Sequence, residues 1–314
     1  MLPGALLGLL ACNSCQGCAP GPSTVDTRSE EDTQDTDSGG EDSPGDTDTA
    51  PPPPCEFPEL EPNNGPDDAN PLDMQAWGCG IFDVPYDFDM FEVTPTQGGW
   101  LKVDVDAVEL GSPAAPFLFI ESESGLAAGA DAGVETTDPL LVVPVPTAEP
   151  WVLSVNEGYN SSGEEFEYRL RASVAKPPLE WDATLGETSK ESPMQLELGE
   201  RVYGVVDSAQ TVHWVEIPVP SDGKTQLKVE VMAHRYGSPL NGRLAVFRPD
   251  DNGDLPTYAS DYTTEDPSGS SWDPIMTLAS EGEDSWVLSI KVNSGKATGE
   301  LYWFVFQATE VVEE

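Results

Sequence analysis

From Cys55 onward the chain is written in short apolar runs broken by turn residues every ten or so positions. Examples are Trp100-Leu-Lys-Val-Asp-Val-Asp106, Pro116-Phe-Leu-Phe-Ile120, Leu140-Leu-Val-Val-Pro-Val145, Trp151-Val-Leu-Ser-Val155 and Phe166-Glu-Tyr-Arg-Leu-Arg-Ala172. Several alternate apolar and polar residues at period two, which suits a strand with one buried and one wet face. No segment sustains a 3.6-residue period. The pattern predicts an all-β chain, most simply a set of antiparallel β-sandwiches.

The runs then recur. Gly80, Asp83, Phe91 and Val93 correspond to Gly204, Asp207, Val215 and Ile217 at a constant offset of 124. Leu101-Lys-Val-Asp-Val105 matches Leu227-Lys-Val-Glu-Val231 at 126, as Gly111-Ser-Pro113 matches Gly237-Ser-Pro239. Trp151-Val-Leu-Ser-Val155 matches Trp286-Val-Leu-Ser-Ile290 at 135. Offsets that only grow, and grow between strands, mean insertions confined to loops, here nine residues between Pro249 and Asp273. Two tandem copies of one domain are expected, 55–175 and 187–314, joined by a linker at 176–186.

What precedes them has another texture. Between Val25 and Ala50 stand ten acidic residues against the single Arg28, with no aromatic, so residues 13–54 are expected to be a disordered acidic tether ending in the stiff Pro51-Pro-Pro-Pro54. The fragment Asp37-Ser38-Gly39-Gly40 falls inside this composition and is read as linker. Residues 1–12 form an apolar run of signal-peptide length, too short to span a bilayer. Leu9-Leu10-Ala11-Cys12 resembles a bacterial lipobox; that resemblance implies cleavage before Cys12, a lipid on its sulfur, and display at the outer membrane or cell surface, with Asn13 favouring the outer membrane. The lipid would be the only membrane contact.

Charge narrows the partners. With 57 Asp plus Glu against 14 Lys plus Arg, the net charge of -43 excludes non-specific attraction to nucleic acid or anionic lipid. Divalent cations and basic partners remain open. Catalysis finds no support: His213 and His234 are the only histidines and form no His-Glu-x-x-His pattern, and the folded part has no Gly-x-Ser-x-Gly elbow. Trp100, Trp151, Trp214 and Trp286 lie in strand patterns and are read as core. Trp77, Trp181 and Trp272 lie in looser surroundings and are the first choices for exposed contacts.

Glu61-Pro-Asn63-Asn64, Ala69, Leu72, the glycine of Cys79-Gly80-Ile81 and Asp87-Phe-Asp89-Met-Phe91-Glu-Val93 resemble the bacterial pre-peptidase C-terminal domain, a jelly-roll sandwich related to the collagen-binding domains of clostridial collagenases. The likeness covers about 115 residues of the first copy. The second copy has Glu187-Thr-Ser-Lys190 where Glu-Pro-Asn-Asn would stand, and joins the resemblance through the internal repeat. Calcium wants six to eight oxygens, and Glu59, Glu61, Asn63 and Asn64 supply four such side chains within six residues. By the resemblance, Asp87 and Asp89 complete a calcium site, with Asp83 the weaker candidate; Thr211 and His213 stand at those positions in the second copy.

Cys55 and Cys79 flank this stretch. Export permits a disulfide, and a bridge between them would tie the N-terminal stretch to the first strand, contributing about 3 kcal/mol in the chain-entropy model; the connectivity stays open. Cys15 and Cys18 share CxxC spacing but have no second pair to make a metal site. The function expected is that of a non-catalytic lipoprotein whose two modules bind or scaffold an extracellular protein or polysaccharide polymer. The alternative is an accessory subunit assisting a separate secreted hydrolase or peptidase.

Overall fold

The structure, a computed structural model, describes residues 55–130, 138–248, 257–261, 272–280, 282–293 and 297–311. The expected signal, tether and Cys12, and most of the 249–273 loop, lie outside the described residues. Ten strands build the first sandwich: β1 (Phe57–Pro58), β2 (Asn70–Pro71), β3 (Trp77–Ile81), β4 (Phe88–Val93), β5 (Gly99–Asp106), β6 (Pro116–Ser122), β7 (Ala127–Ala130), β8 (Leu140–Val145), β9 (Trp151–Glu157) and β10 (Glu167–Ala175). Ten more build the second: β11 (Ala183–Thr184), β12 (Met194–Gln195), β13 (Arg201–Val205), β14 (Val212–Pro218), β15 (Gln226–Met232), β16 (Gly242–Phe247), β17 (Thr257–Asp261), β18 (Ile275–Ala279), β19 (Ser285–Val292) and β20 (Trp303–Glu310).

Each sandwich has two five-stranded sheets. The orders are β1-β3-β10-β5-β8 and β2-β4-β9-β6-β7, and the second sandwich repeats both orders ten strands later, β11-β13-β20-β15-β18 and β12-β14-β19-β16-β17. Alternation fills the space between sheets: Leu101, Val103 and Val105 of β5 face Leu118 and Ile120 of β6, with Trp151 fully buried, and Trp286 stands at its counterpart. The sandwiches are not wholly antiparallel. The two-residue strands β1 and β2 run parallel to β3 and β4, as β11 and β12 do to β13 and β14. One segment thus straps the open edge, pairing first with one sheet and then with the other. Ala183–Thr184, read from sequence as linker, belongs to the second strap for this reason.

The glycine-serine-proline repeat acquires a physical meaning. Gly111 and Gly237, at φ 78° and 86°, end the 3-10 turns Val108–Leu110 and His234–Tyr236 in the left-handed region. The starts of the turns are capped alike. Asp138 accepts from Ala107 and Val108 N–H, and Asp273 accepts from Ala233 and His234 N–H.

The sandwiches meet within the unit Pro51–Glu314. Trp100, read as core of its own domain, lies instead on the outer face of β5, against Trp303 at 5.1 Å, Tyr203 at 6.2 Å and Trp181 at 6.2 Å between ring centroids. Trp181, expected as an exposed contact, is stacked on Tyr203 at 4.6 Å. Trp77 is also covered, lying against the guanidinium groups of Arg169 and Arg171, and Trp272 stacks on His234. Trp214 faces outward, half-buried against Phe247, rather than into the core. At the junction β8 is an edge strand. Val142 N–H donates to Gly237 O at 2.7 Å and Val142 O accepts from Trp303 Nε1 at 2.6 Å, so the bare edge is capped by the second sandwich.

A methyl group on Gly237 would stand 2.6 Å from Val142 Cγ2 and 2.9 Å from its nitrogen. Gly237→Ala therefore weakens the junction by about 1–3 kcal/mol, and calorimetry should show the transitions of the two sandwiches more widely separated than in the native chain. Gly111→Ala is the control: no atom lies within 4 Å of the added carbon, so only the turn is strained, at about 1–2 kcal/mol.

Candidate metal centre

The strap of the first sandwich carries the acidic stretch across the sheet edge. Glu59 N–H donates to Cys79 O at 2.9 Å, and the Cys55–Cys79 disulfide, with Cα atoms 5.9 Å apart, fixes the start of the strap to β3. Beyond β1, Leu60 N–H donates to Asn70 Oδ1 and Met90 N–H to Asn63 O. These bonds turn the strap under β4. Along β4 the alternation sends Asp89 inward and Phe88 outward, while Asp87, just before the strand, is buried.

Glu59, Glu61 and Asp89 come together, with one oxygen of each lying within 4.8 Å of the others. Asp89 is fully buried; its Oδ2 accepts from Tyr168 Oη at 2.7 Å and its Oδ1 has no partner. Asn63 is fully buried too, with neither Oδ1 nor Nδ2 hydrogen-bonded. Asp87 accepts from Asp83 N–H through Oδ2. Glu59 accepts from Ile81 N–H through Oε1 and Glu61 from Asn63 N–H. Asn64 is not gathered in: it is exposed, and its Oδ1 accepts from Phe88 N–H. Among the described residues no ion pair reaches Glu59, Glu61, Asp87 or Asp89.

Such a group is costly as it stands. Burial, opposed in part by the Ile81 N–H, raises Glu59 to about 7. Burial first, then the charge of Glu59, raises Asp89 to about 9. Asp87 is raised by burial and by Glu61. Buried amide and carboxylate oxygens without partners are otherwise rare in folded proteins, because each forfeits its water. A hard cation would suit the set: the converging groups are three carboxylates whose oxygens lie within 4.8 Å of one another, and the side chain of Asn63, two residues from Glu61, is buried without a partner.

Tyr168 escapes a reading of sequence alone. Its ring lies over Gly80, where a methyl group would stand 2.3 Å from both the Tyr168 hydroxyl and Glu59 Oε2, so glycine is required for strap and ring to meet. The available signal was its counterpart. In the second sandwich Gly204 underlies Phe304 and Leu185, Phe304 pairing with Gly204 as Tyr168 does with Gly80. Register thus sets Glu59 against Leu185, Tyr168 against Phe304, Asp89 against His213 and Asp87 against Thr211. His213 is buried, bonds Val205 O at 2.8 Å and lies edge-on to Phe304. The same scaffold therefore holds a carboxylate cluster once and, at the matched inner places, Leu185, Phe304 and a hydrogen-bonded His213.

No protein-family model and no curated protein matches the chain. Among solved structures it is similar to the tandem CBM51 modules of a family 98 glycoside hydrolase from Streptococcus pneumoniae, with 12% identity, 75% of this chain and 83% of that chain covered, and a TM-score of 0.23. The tandem CBM22 modules of a Paenibacillus barcinonensis protein give 13%, 74%, 85% and 0.23 in the same order. The CUB1-EGF-CUB2 domains of human MASP-1/3 give 8%, 74%, 99% and 0.20. Likenesses of this size assign no ligand.

The raised carboxyls set a pH dependence. With a chelator present, the folded chain holds protons on Glu59 and Asp89 that the unfolded chain has released, so stability falls as pH climbs from about 4 through about 7 and about 9. The urea midpoint in EDTA should be lower at pH 9 than at pH 5. The Glu59→Gln, Asp89→Asn double variant should flatten that slope, and an equal slope in both proteins would refute the assignment.

Proposed function

We propose that the chain is an exported, non-catalytic binding or scaffolding protein, anchored by a lipid on Cys12, whose first sandwich is a calcium-stabilised module of the pre-peptidase C-terminal type. One observation carries the calcium reading: Glu59, Glu61 and Asp89 converge beside the orphaned, fully buried Asn63, while in the second sandwich Leu185 and His213 stand at the places of Glu59 and Asp89 and only the Glu61 position keeps a carboxylate, as Glu187. The sandwich does not need the Glu59 and Asp89 carboxylates to fold. Their presence once, without a counter-charge, is what a divalent cation would offset.

Calcium suits the donors better than magnesium. Magnesium retains several waters in a strict octahedron, and a cluster that includes the fully buried Asp89 leaves little room for them. Once bound, calcium supplies charge neutralisation and cross-linking rather than chemistry. Glu59 and Glu61 lie on the strap, Asp89 on β4, so the ion would tie strap to sheet on the side away from the disulfide. The partner in this reading is an extracellular polymer, and Leu9-Leu10-Ala11-Cys12 supports display at the outer membrane or cell surface.

Calcium at about 100 times its dissociation constant should add roughly 2.7 kcal/mol and raise the melting midpoint by about 5 °C over the value in EDTA. Asp89→Asn separates the readings by sign. It should abolish the calcium response and, by removing a group that must take up a proton to be buried, raise the EDTA midpoint at pH 8. An unchanged midpoint on adding calcium to the native chain sinks the metal reading. For the anchor, tritiated palmitate should label the native chain and not Cys12→Ala.

A further inference from the structure

The seat that receives β8 at the junction exists twice. On the second sandwich it is the outer face of the first-named sheet plus the 3-10 turn, built from Trp181, Tyr203, Val205, Tyr236, Trp303 and Val305. Strand register and the offset of 126 before the insertion set these against Cys55, Cys79, Ile81, Leu110, Glu167 and Arg169 of the first sandwich. Those six residues line an open cavity of about 400 Å³, with Pro58, Glu59, Gly80 and Tyr168 completing it. The place filled in one copy by an extended strand is a pocket in the other.

The filled seat indicates what a pocket of this shape takes. β8 enters it as extended backbone: Val142 N–H meets Gly237 O, and Leu140 and Val142 lie among the rings. On the first sandwich the counterpart acceptor is Gly111 O; Gly111 is exposed, and no atom lies within 4 Å of where its Cβ would be. The apolar floor is smaller but present, made by Ile81, 39% exposed, with Leu110 and the disulfide. The decisive change is Trp303 to Glu167. Where the filled seat offers an indole N–H to a carbonyl, the open one offers an exposed carboxylate, with Glu59 on the same wall. Arg169 does not cancel this charge, being bonded to Asp106 and Glu109.

We propose that this pocket binds an extended polypeptide segment carrying lysine or arginine, its backbone N–H on Gly111 O, an apolar side chain on Ile81 and Leu110, and a cationic side chain on Glu167. The charge of the chain favours such a partner over any anionic polymer. The assignment rests on the reading of the chain as a binding module, but not on its cation. A strand added at a built seat gains main-chain hydrogen bonds while its side chains supply selectivity.

The probes are two blocked hexapeptides, Leu-Leu-Lys-Val-Lys-Val and Leu-Leu-Glu-Val-Glu-Val, titrated calorimetrically into the full chain in EDTA and again in calcium. The lysine peptide should bind at least tenfold more tightly than the glutamate peptide. Glu167→Lys should abolish the preference and Glu167→Gln reduce it, and N-methylation of the central amides should lower affinity at least tenfold. Glu167 is exposed, and unchanged melting of both variants verifies folding. Three results overturn the inference: no binding to about 1 mM, no discrimination between the peptides, or binding indifferent to Glu167→Lys. The last leaves the binding reading standing with its site elsewhere. Concentration-dependent self-association abolished by Glu167→Lys would also overturn it, making a second copy's β18 edge the occupant.

Discussion

Everything described depends on closing the edge of each sandwich. A two-sheet sandwich whose edge strands end bare exposes unpaired N–H and C=O groups and leaves a seam into its core. Here one segment closes the seam by pairing for two residues with one sheet and two with the other. Four ladder positions are too few to hold a strap against the entropy of ordering it, so it needs fastening from its side chains. The glycines of β3 and β13 make the fastening possible. With no Cβ at Gly80 or Gly204, the aromatic ring of the neighbouring strand lies flat against the sheet and meets the strap from below.

The two sandwiches solve this problem with different chemistry at matched positions. The first uses the Cys55–Cys79 bridge at the start of the strap and the Glu59, Tyr168 and Asp89 group further along. The second sets Trp181 on Tyr203, in register with the two cysteines, and Leu185 on Phe304. A disulfide closing a loop of this size contributes about 3 kcal/mol by restricting the unfolded chain. A stacked aromatic pair adds about 0.5–1.5 kcal/mol beyond its buried area, and burying a Trp and a Tyr adds several more. The two fastenings are comparable in strength, but the polar one places Glu59 and Asp89 where burial raises both carboxyls, while the other has Leu185 and His213 at the same places.

Much of the fold was legible because the repeat gives the sequence an internal ruler. Offsets of 124, 126 and 135 locate insertions between strands, and period-two alternation assigns the inner face of each. What alternation cannot say is what covers the outer face. Trp100 and Trp214 stand at outward positions of their strands; one is covered by the other sandwich and one lies half-exposed beside Phe247. Local pattern is the same in both cases, and only tertiary contact separates them. The candidate site divides similarly. Glu59, Glu61, Asn63, Asp87 and Asp89 are legible as oxygen donors in a short span, whereas Asn64 differs from Asn63 only in which side of the strap it occupies, and the β4 backbone claims it. Tyr168 sits 79 residues from the aspartate it bonds, a distance no spacing rule bridges. Its signature is the joint change of Tyr to Phe, Asp to His and Glu to Leu between the copies.

The turn that follows β5 and β15 shows how the junction uses a shape that each sandwich already has. Gly111-Ser112 and Gly237-Ser238 have the same left-handed glycine and the same return bonds, Ser112 N–H to Ala107 O and Ser238 N–H to Ala233 O, so each sandwich needs the turn for its own sake. Only the second turn carries a load from outside, because β8 of the first sandwich runs out beside it. Docking then selects residues around an existing shape: Tyr236, Trp303 and Val305 where the first sandwich has Leu110, Glu167 and Arg169. The surfaces diverged while the backbone did not. The polar version keeps the contour of a seat for extended chain but has exchanged an indole for a carboxylate, which is how one scaffold can hold its neighbour at one end and offer a charged, open groove at the other.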